Sequence, residues 1–290
     1  MSLKAQKLKW TRHIKIAKNN LLATSRDNPL CKDTICLGGK ILKKKILFIN
    51  PLHTEVFDED YTQQLNRYKS PETIVDLVSF KSGQGPIHLE YNCYEAMVIP
   101  ELLRTVKKAE EDGYDAVIIG CFYDPAIRAC REVAEKMVIT APAEAALHIA
   151  TTLGENFSVI VGRQKWIPEM KENVHKYGFI HKLASFKSID LGVHDFQKDH
   201  EETKNRIRES AIEAIEKDGA DVIVLGCTAE FGFFDSLQDE LGVPVIDATL
   251  SPLKYAEFLV EVKQKFSWTH SKKVGYQSPP KDEVEEFQLF

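Results

Sequence analysis

Long apolar runs are missing from this chain of 290 residues. Stretches such as Ala116–Gly120 are far too short to cross a bilayer, so no membrane partner is expected. Cysteine is sparse. Cys31, Cys36, Cys93, Cys121, Cys130 and Cys227 are too few and too scattered to staple a chain of this length, which excludes a disulfide scaffold. Cys31 and Cys36 have no further Cys or His at zinc spacing, so no metal is expected. Neither standard Gly-rich phosphate loop occurs, which removes the usual nucleotide signal. The basic residues come without aromatic interleaving or a recognised nucleic-acid motif, so no nucleic-acid partner is expected.

What is present has the composition of a globular protein large enough for one large or two small domains. Its charge is uneven. Residues 1–45 carry twelve Lys/Arg and two Asp, a net of +10, so the remainder of a chain with net charge −5 carries −15. The segment 1–44 therefore reads as a basic extension. It lacks the apolar stretch of a secretory signal, and it is Lys-rich and Ser-poor, unlike a transit peptide. The simplest expectation is that it covers the acidic body or a partner subunit. Cysteines at the ends of apolar strands suit a reducing compartment, and a cytoplasmic location is expected.

Short apolar runs alternate with helix-length segments. Strands are expected near 46–49, 74–80, 115–120, 137–140, 157–161, 182–189, 221–225 and 243–246. Helices are expected over 93–111, 167–177, 201–217 and 253–266. A further helix should start at Asp124-Pro125, with Asp as N-cap and Pro at the first helical position, and run to about 135. Residues 53–70 read as a polar loop. Such alternation implies an α/β fold with mostly parallel, helix-covered sheets, whose ligands bind beyond the carboxyl ends of the strands.

The most informative feature is a repeat. Asp112-Gly-Tyr-Asp-Ala-Val-Ile-Ile-Gly-Cys121 returns as Asp218-Gly-Ala-Asp-Val-Ile-Val-Leu-Gly-Cys227, with five of ten positions identical and an offset of 227 − 121 = 106. That period is too long for a solenoid unit and reads as two homologous lobes. The expected division is 45–140 for the first lobe, with 247–266 returning to it, 141–246 for the second, and 267–290 as a polar tail. A pseudo-two-fold between the lobes would place Cys121 and Cys227 on opposite sides of one cleft. One cysteine after a buried strand is usually a small core residue. The same position filled by Gly-Cys in both copies points instead to chemistry: a base on one face of a carbon and an acid on the other.

At a strand end before a helix, each thiol is expected to lie near N–H donors and a positive dipole end, with its pKa lowered. Gly120 and Gly226 would let substrate approach the backbone, and backbone N–H groups after each Cys, including that around Phe122, would stabilise an enolate. Thr228 would add a hydroxyl to orient the substrate. His194 and His200 flank a polar turn and read as surface residues.

The segment Gly113–Pro125, ending Gly120-Cys-Phe-Tyr-Asp-Pro125, resembles the Gly-Cys-Phe-x-Asp-Pro signature of the hydantoin racemase branch of the Asp/Glu/hydantoin racemase superfamily. Gly85-Pro86, Glu90, Pro100, Arg131-Glu132, Glu144-Ala-Ala146 and Gly226-Cys-Thr228 also match. The resemblance runs from about Lys45 to Phe266. It implies a two-lobed, commonly oligomeric enzyme without a cofactor. It also implies that Cys121 and Cys227 are the catalytic pair and that Asn50, in the first-strand motif Ile49-Asn-Pro51, lies near the substrate. The chain departs from the family pattern at Leu52-His53-Thr54, Val138, Ala141 and Val161-Gly162. Ala229 stands where glutamate racemases carry His. The expected activity is racemisation of a small molecule with a carbonyl-activated α C–H, best a 5-substituted hydantoin, in a homo-oligomer. A decarboxylase, a cis–trans isomerase or a silent binding protein on the same scaffold are the alternatives.

Overall fold

Each half of the chain builds its sheet outward from one central strand. The computed structural model describes residues 43–290. The basic extension, with Cys31 and Cys36, lies outside the described residues apart from its last two positions. The strand β1 (Lys44–Asn50) is buried at every position but one, as a strand covered on both faces must be. The helix α1 (Asp58–Tyr68) leads to β2 (Thr73–Ser79), which pairs with β1 in parallel. The helix α2 (Asn92–Glu111) leads to β3 (Ala116–Ile119), which pairs with the other side of β1. The helix α3 (Ile127–Val133) precedes β4 (Val138–Thr140), which closes a four-stranded sheet of order β2-β1-β3-β4.

The second half repeats the plan. After α4 (Pro142–Leu153) come β5 (Phe157–Val161), α5 (Ile167–Lys176), β6 (Leu183–Ser188), α6 (His200–Asp218), β7 (Val222–Leu225), α7 (Phe234–Leu241) and β8 (Val245–Ile246). Their sheet has the order β6-β5-β7-β8, again parallel throughout. The helix α8 (Leu250–Phe266) follows, and α9 (Lys281–Glu286) lies near the end. Two helices cross between the halves. The helix α4 leaves the first sheet and packs on β7 and β8, whereas α8 leaves the second and packs on β1, β3 and β4. In both sheets the strand order reverses at the central strand. A crevice therefore opens beyond the carboxyl ends of β1 and β3, and another beyond β5 and β7.

Two local expectations fail for identifiable reasons. Residues 53–70 are not a loop, because α1 forms on a narrow stripe. Only Tyr61 and Leu65, four residues apart, are buried, and Asp58, Glu59 and Asp60 complement its N-terminal dipole. Asp124 does not cap the helix that follows it. Asp124 and Ala126 both have left-handed backbones (φ 51° and 50°), and α3 begins only at Ile127. The Asp124 carboxylate instead accepts from the N–H groups of Ala143 and Glu144 at 2.9 and 2.8 Å, in the first turn of α4. That helix, with Pro142 in its first turn, has no counterpart in the sequence reading.

The polar tail is tied to the edge of the first sheet. The Ile139 N–H of edge strand β4 donates to His270 Nε2 at 2.9 Å, and Ser278 Oγ donates to the Glu132 carbonyl at 2.7 Å. A side chain thus takes the place of a further strand at an otherwise open edge.

Candidate active site

Gly120 and Gly226 follow β3 and β7 at the carboxyl ends of the two sheets, and each is required by packing. A Cβ on Gly120 would lie 2.5 Å from the Phe48 ring and 2.8 Å from the Ile49 carbonyl, and one on Gly226 would lie 2.6 Å from the Ile160 carbonyl. The neighbouring central strand, rather than an approaching substrate, accounts for these glycines. Past them the chain turns, and Cys121 and Cys227 come to line a single cavity.

That cavity is open to solvent on one side and is lined mainly by apolar side chains. Gly120, Cys121, Phe122, Gly226, Cys227 and Thr228 all line it. Leu52, Leu89 and Tyr61 complete the wall on the first half, while Trp166, Met170 and Val193 close it from the second. Glu90 is the one charged side chain among the described lining residues. Asn50, expected near the substrate, is fully buried outside the lining. Its Nδ2 donates to Ser79 Oγ at 2.9 Å and to the Thr54 carbonyl at 3.3 Å, which fastens the end of β1 to β2.

The two thiols do not have lowered pKa values. Burial pushes both well up, against the contrary pull of backbone donors, the Tyr123 N–H at Cys121 and the Ala229 and Glu230 N–H groups at Cys227. The expectation fails because the helix dipole is not there. Neither Cys opens a helix: α3 starts six residues after Cys121 and is only seven residues long, and α7 starts seven residues after Cys227. The titratable neighbours are acids as well, Glu95 and Asp124 around Cys121 and Glu230 and Glu90 around Cys227, so none of them favours a thiolate.

Loops carrying the thiols are held from across the cleft. Asn173 Nδ2 of α5 donates to the Tyr123 carbonyl at 2.6 Å, and the Tyr177 hydroxyl donates to Asp124 at 2.7 Å. Burial raises the Asp124 pKa to about 7. From the other side, the Tyr61 hydroxyl donates to Thr228 Oγ1 at 3.1 Å, and that hydroxyl donates to the Gly120 carbonyl at 3.3 Å. Thr228 therefore links α1, the Cys227 turn and the residue before Cys121. Glu230 lies beneath the second turn, its Oε2 accepting from the Cys227 N–H at 3.2 Å.

Several wall residues were not legible as such. Tyr61 sits in the segment read as a loop, and Trp166 and Met170, four residues apart, look like an ordinary core stripe. Glu90 was visible only as one matching position. Its signal is a lone acid between Leu89 and Tyr91 just after a Gly-Pro turn. Cys93 is exposed on α2 and Cys130 is buried in α3. His194 stacks on Phe57 and His200 on Phe233, and neither lines the cavity.

Comparison with known proteins agrees with this architecture. The profile of the Asp/Glu/Hydantoin racemase family matches residues 46–256. A hydantoin racemase of Pseudomonas sp. (strain NS671) is 34% identical over 239 residues, 82% of this chain and 93% of the relative. A hydantoin racemase of Paenarthrobacter aurescens is 34% identical over 236 residues, covering 81% and 97%. Among solved structures, allantoin racemase from Klebsiella pneumoniae superposes with a TM-score of 0.75 at 28% identity, covering 82% of this chain and 94% of that one. With two parallel sheets of like topology and a Gly-Cys turn at the end of each, the chain belongs to the Asp/Glu/hydantoin racemase family of isomerases.

Proposed function

We propose that this protein racemises a small molecule whose α C–H is activated by flanking carbonyl groups, with a 5-substituted hydantoin as the best fit, by a two-cysteine mechanism without a cofactor. One observation carries the reading: the two thiols, contributed by equivalent turns of two sheets, line the same small cavity. The names of the relatives, hydantoin racemase and allantoin racemase, support the substrate class.

In the proposed reaction one cysteine, as thiolate, takes the α proton from one face. The electron pair left on carbon passes to the carbonyl oxygen as an enolate. The other cysteine, as thiol, then delivers its proton to the opposite face, and the two exchange roles for the reverse reaction. Each turnover needs one thiolate and one thiol. Burial and the mutual repulsion of the pair disfavour the doubly ionised site, so the singly ionised state is the one reached as pH rises. A thiolate of raised pKa is scarcer but more basic, which suits a weak carbon acid. The N–H groups of Phe122 and Thr228, residues at the cavity wall, are the proposed donors to the enolate oxygen. Thr228 contributes its position more than its hydroxyl, which is already engaged.

The test is α-proton exchange in deuterated water, followed by NMR, across single enantiomers of 5-substituted hydantoins and free amino acids. Exchange with inversion of a hydantoin supports the reading. Exchange confined to amino acids, or turnover without label at the α carbon, would reject it.

A further inference from the structure

Glu90 is the feature of the cavity that a two-thiol mechanism leaves unused. It stands between β2 and α2, on the first half of the chain, with only 6% of its surface exposed. It crosses to the second half, where Oε1 accepts from the Val193 N–H at 3.1 Å and Oε2 accepts from the Arg163 guanidinium at 2.9 Å. Gly192 packs close to it, since a Cβ there would lie 3.1 Å from Asp195 Oδ2 and 3.2 Å from Glu90 Oε1. Arg163 is about half exposed and does not line the cavity. The carboxylate therefore brings negative charge to a wall that contains no Lys or Arg among the described residues. A carboxylate has about four acceptor positions, and two of them are occupied here, so it can still accept.

We propose that Glu90 determines specificity: it accepts a hydrogen bond from an N–H of the substrate ring, and it selects uncharged cyclic ureides or imides over carboxylates. The proposal rests on the racemase reading for the identity of the reaction but not for the binding preference. A buried acceptor carboxylate discriminates strongly between a ligand that offers an N–H and one that does not, because the unmatched acceptor stays desolvated. An anionic ligand would add like charge beside the Glu90 carboxylate, in a wall with no Lys or Arg among the described residues. A free amino acid or an N-carbamoyl amino acid carries such a charge, whereas a closed hydantoin ring does not. The preference for the ring thus follows from charge as well as shape.

Glutamine at this position keeps the volume but removes the negative charge, and its single carbonyl oxygen is claimed by Val193 or Arg163. The experiment uses the full chain, 5-benzylhydantoin, its N1-methyl and N3-methyl derivatives, and N-carbamoylphenylalanine as the ring-opened carboxylate. Exchange kinetics and calorimetric binding are both read. For the wild-type protein, one of the two methyl derivatives should lose about 10- to 100-fold in kcat/KM or affinity relative to the parent. Glu90→Gln should lose a similar factor on the parent and no more than about twofold on that derivative, since the hydrogen bond is already gone. The same substitution should tighten binding of the carboxylate. Arg163→Gln, which cuts only the outer ion pair, should keep the discrimination against the N-methyl derivative. Equal losses on parent and both methyl derivatives would make Glu90 a strut between the halves and overturn the proposal, as would carboxylate binding that Glu90→Gln leaves unchanged. Absence of hydantoin exchange by the wild-type protein would count against the racemase reading alone, because the calorimetric comparison still decides the role of Glu90.

Discussion

Thr228→Val should cost far more stability than Tyr61→Phe, although the two side chains share one hydrogen bond. The Tyr61 hydroxyl, on a residue 1% exposed, donates to Thr228 Oγ1, which in turn donates to the Gly120 carbonyl. Removing the Tyr61 hydroxyl deletes one bond and leaves the Thr228–Gly120 bond in place, at a cost of about 1 kcal/mol. Removing the Thr228 hydroxyl strands two buried groups, the phenol and the carbonyl, at about 1–3 kcal/mol each, or roughly 2–6 kcal/mol in all. The double variant strands only the carbonyl. It should therefore be more stable than Thr228→Val alone, and the sum of the single losses should overshoot it by about 2–4 kcal/mol. Urea unfolding of the four proteins, analysed with a common m value, measures this directly. Equal losses for the two single variants, or strict additivity in the double, would refute the relay.

Three further outcomes follow from burial and charge. Burial raises Asp124 to about 7, so its proton is bound more tightly in the folded state; stability from this group is present at acid pH and lost as pH rises from about 4 to 7, and Asp124→Asn should flatten that slope in a pH series of unfolding curves. His270 shifts the opposite way, since burial and then Arg131 and Lys272 lower it to about 3; stability it contributes at neutral pH is lost as pH falls from about 6.5 to 3, and His270→Gln should remove that loss while weakening the tail. Because burial raises both thiols, kcat/KM should climb with pH through neutrality and beyond pH 8; a plateau reached by about pH 7 would show that a thiolate is already stable in the free enzyme.

The fold was legible where burial imposes periodicity. Parallel strands covered on both faces must be continuous apolar runs, so Ile46–Ile49, Ala116–Ile119 and Val222–Leu225 stand out from sequence, and so does their repetition. Long helices whose buried stripe repeats over several turns, α2, α6 and α8, were legible for the same reason. The helix α1 was not, because two buried side chains among polar neighbours leave almost no periodic signal. The role of Asp124 was not, because its partners lie 19 and 20 residues further on and the left-handed backbone at Asp124 and Ala126 belongs to the tertiary structure. At the site, the two Gly-Cys turns are legible from their repetition and from their resemblance to the family's motifs. What the repeat could not convey was the balance of forces on the thiols: the donors are local, but the burial and acidic surroundings that outweigh them come from both halves. Asn50 illustrates the same limit, since its proximity to the strand end is a matter of sequence and its engagement with Ser79 is not.

The central claim is that Cys121 and Cys227 act on opposite faces of one carbon, and the most direct measurement follows each pure enantiomer of a substrate hydantoin in deuterated water with Cys121→Ser and Cys227→Ser proteins. Serine is too weak an acid to become a base near neutral pH, yet its hydroxyl proton can still be donated. Each variant should therefore lose α-proton exchange of one enantiomer while retaining some exchange of the other, with opposite preferences. Both should lose net racemisation by about two orders of magnitude or more. Equal residual exchange of both enantiomers in either variant would mean that one thiol or water serves both faces, and the two-base account would be wrong.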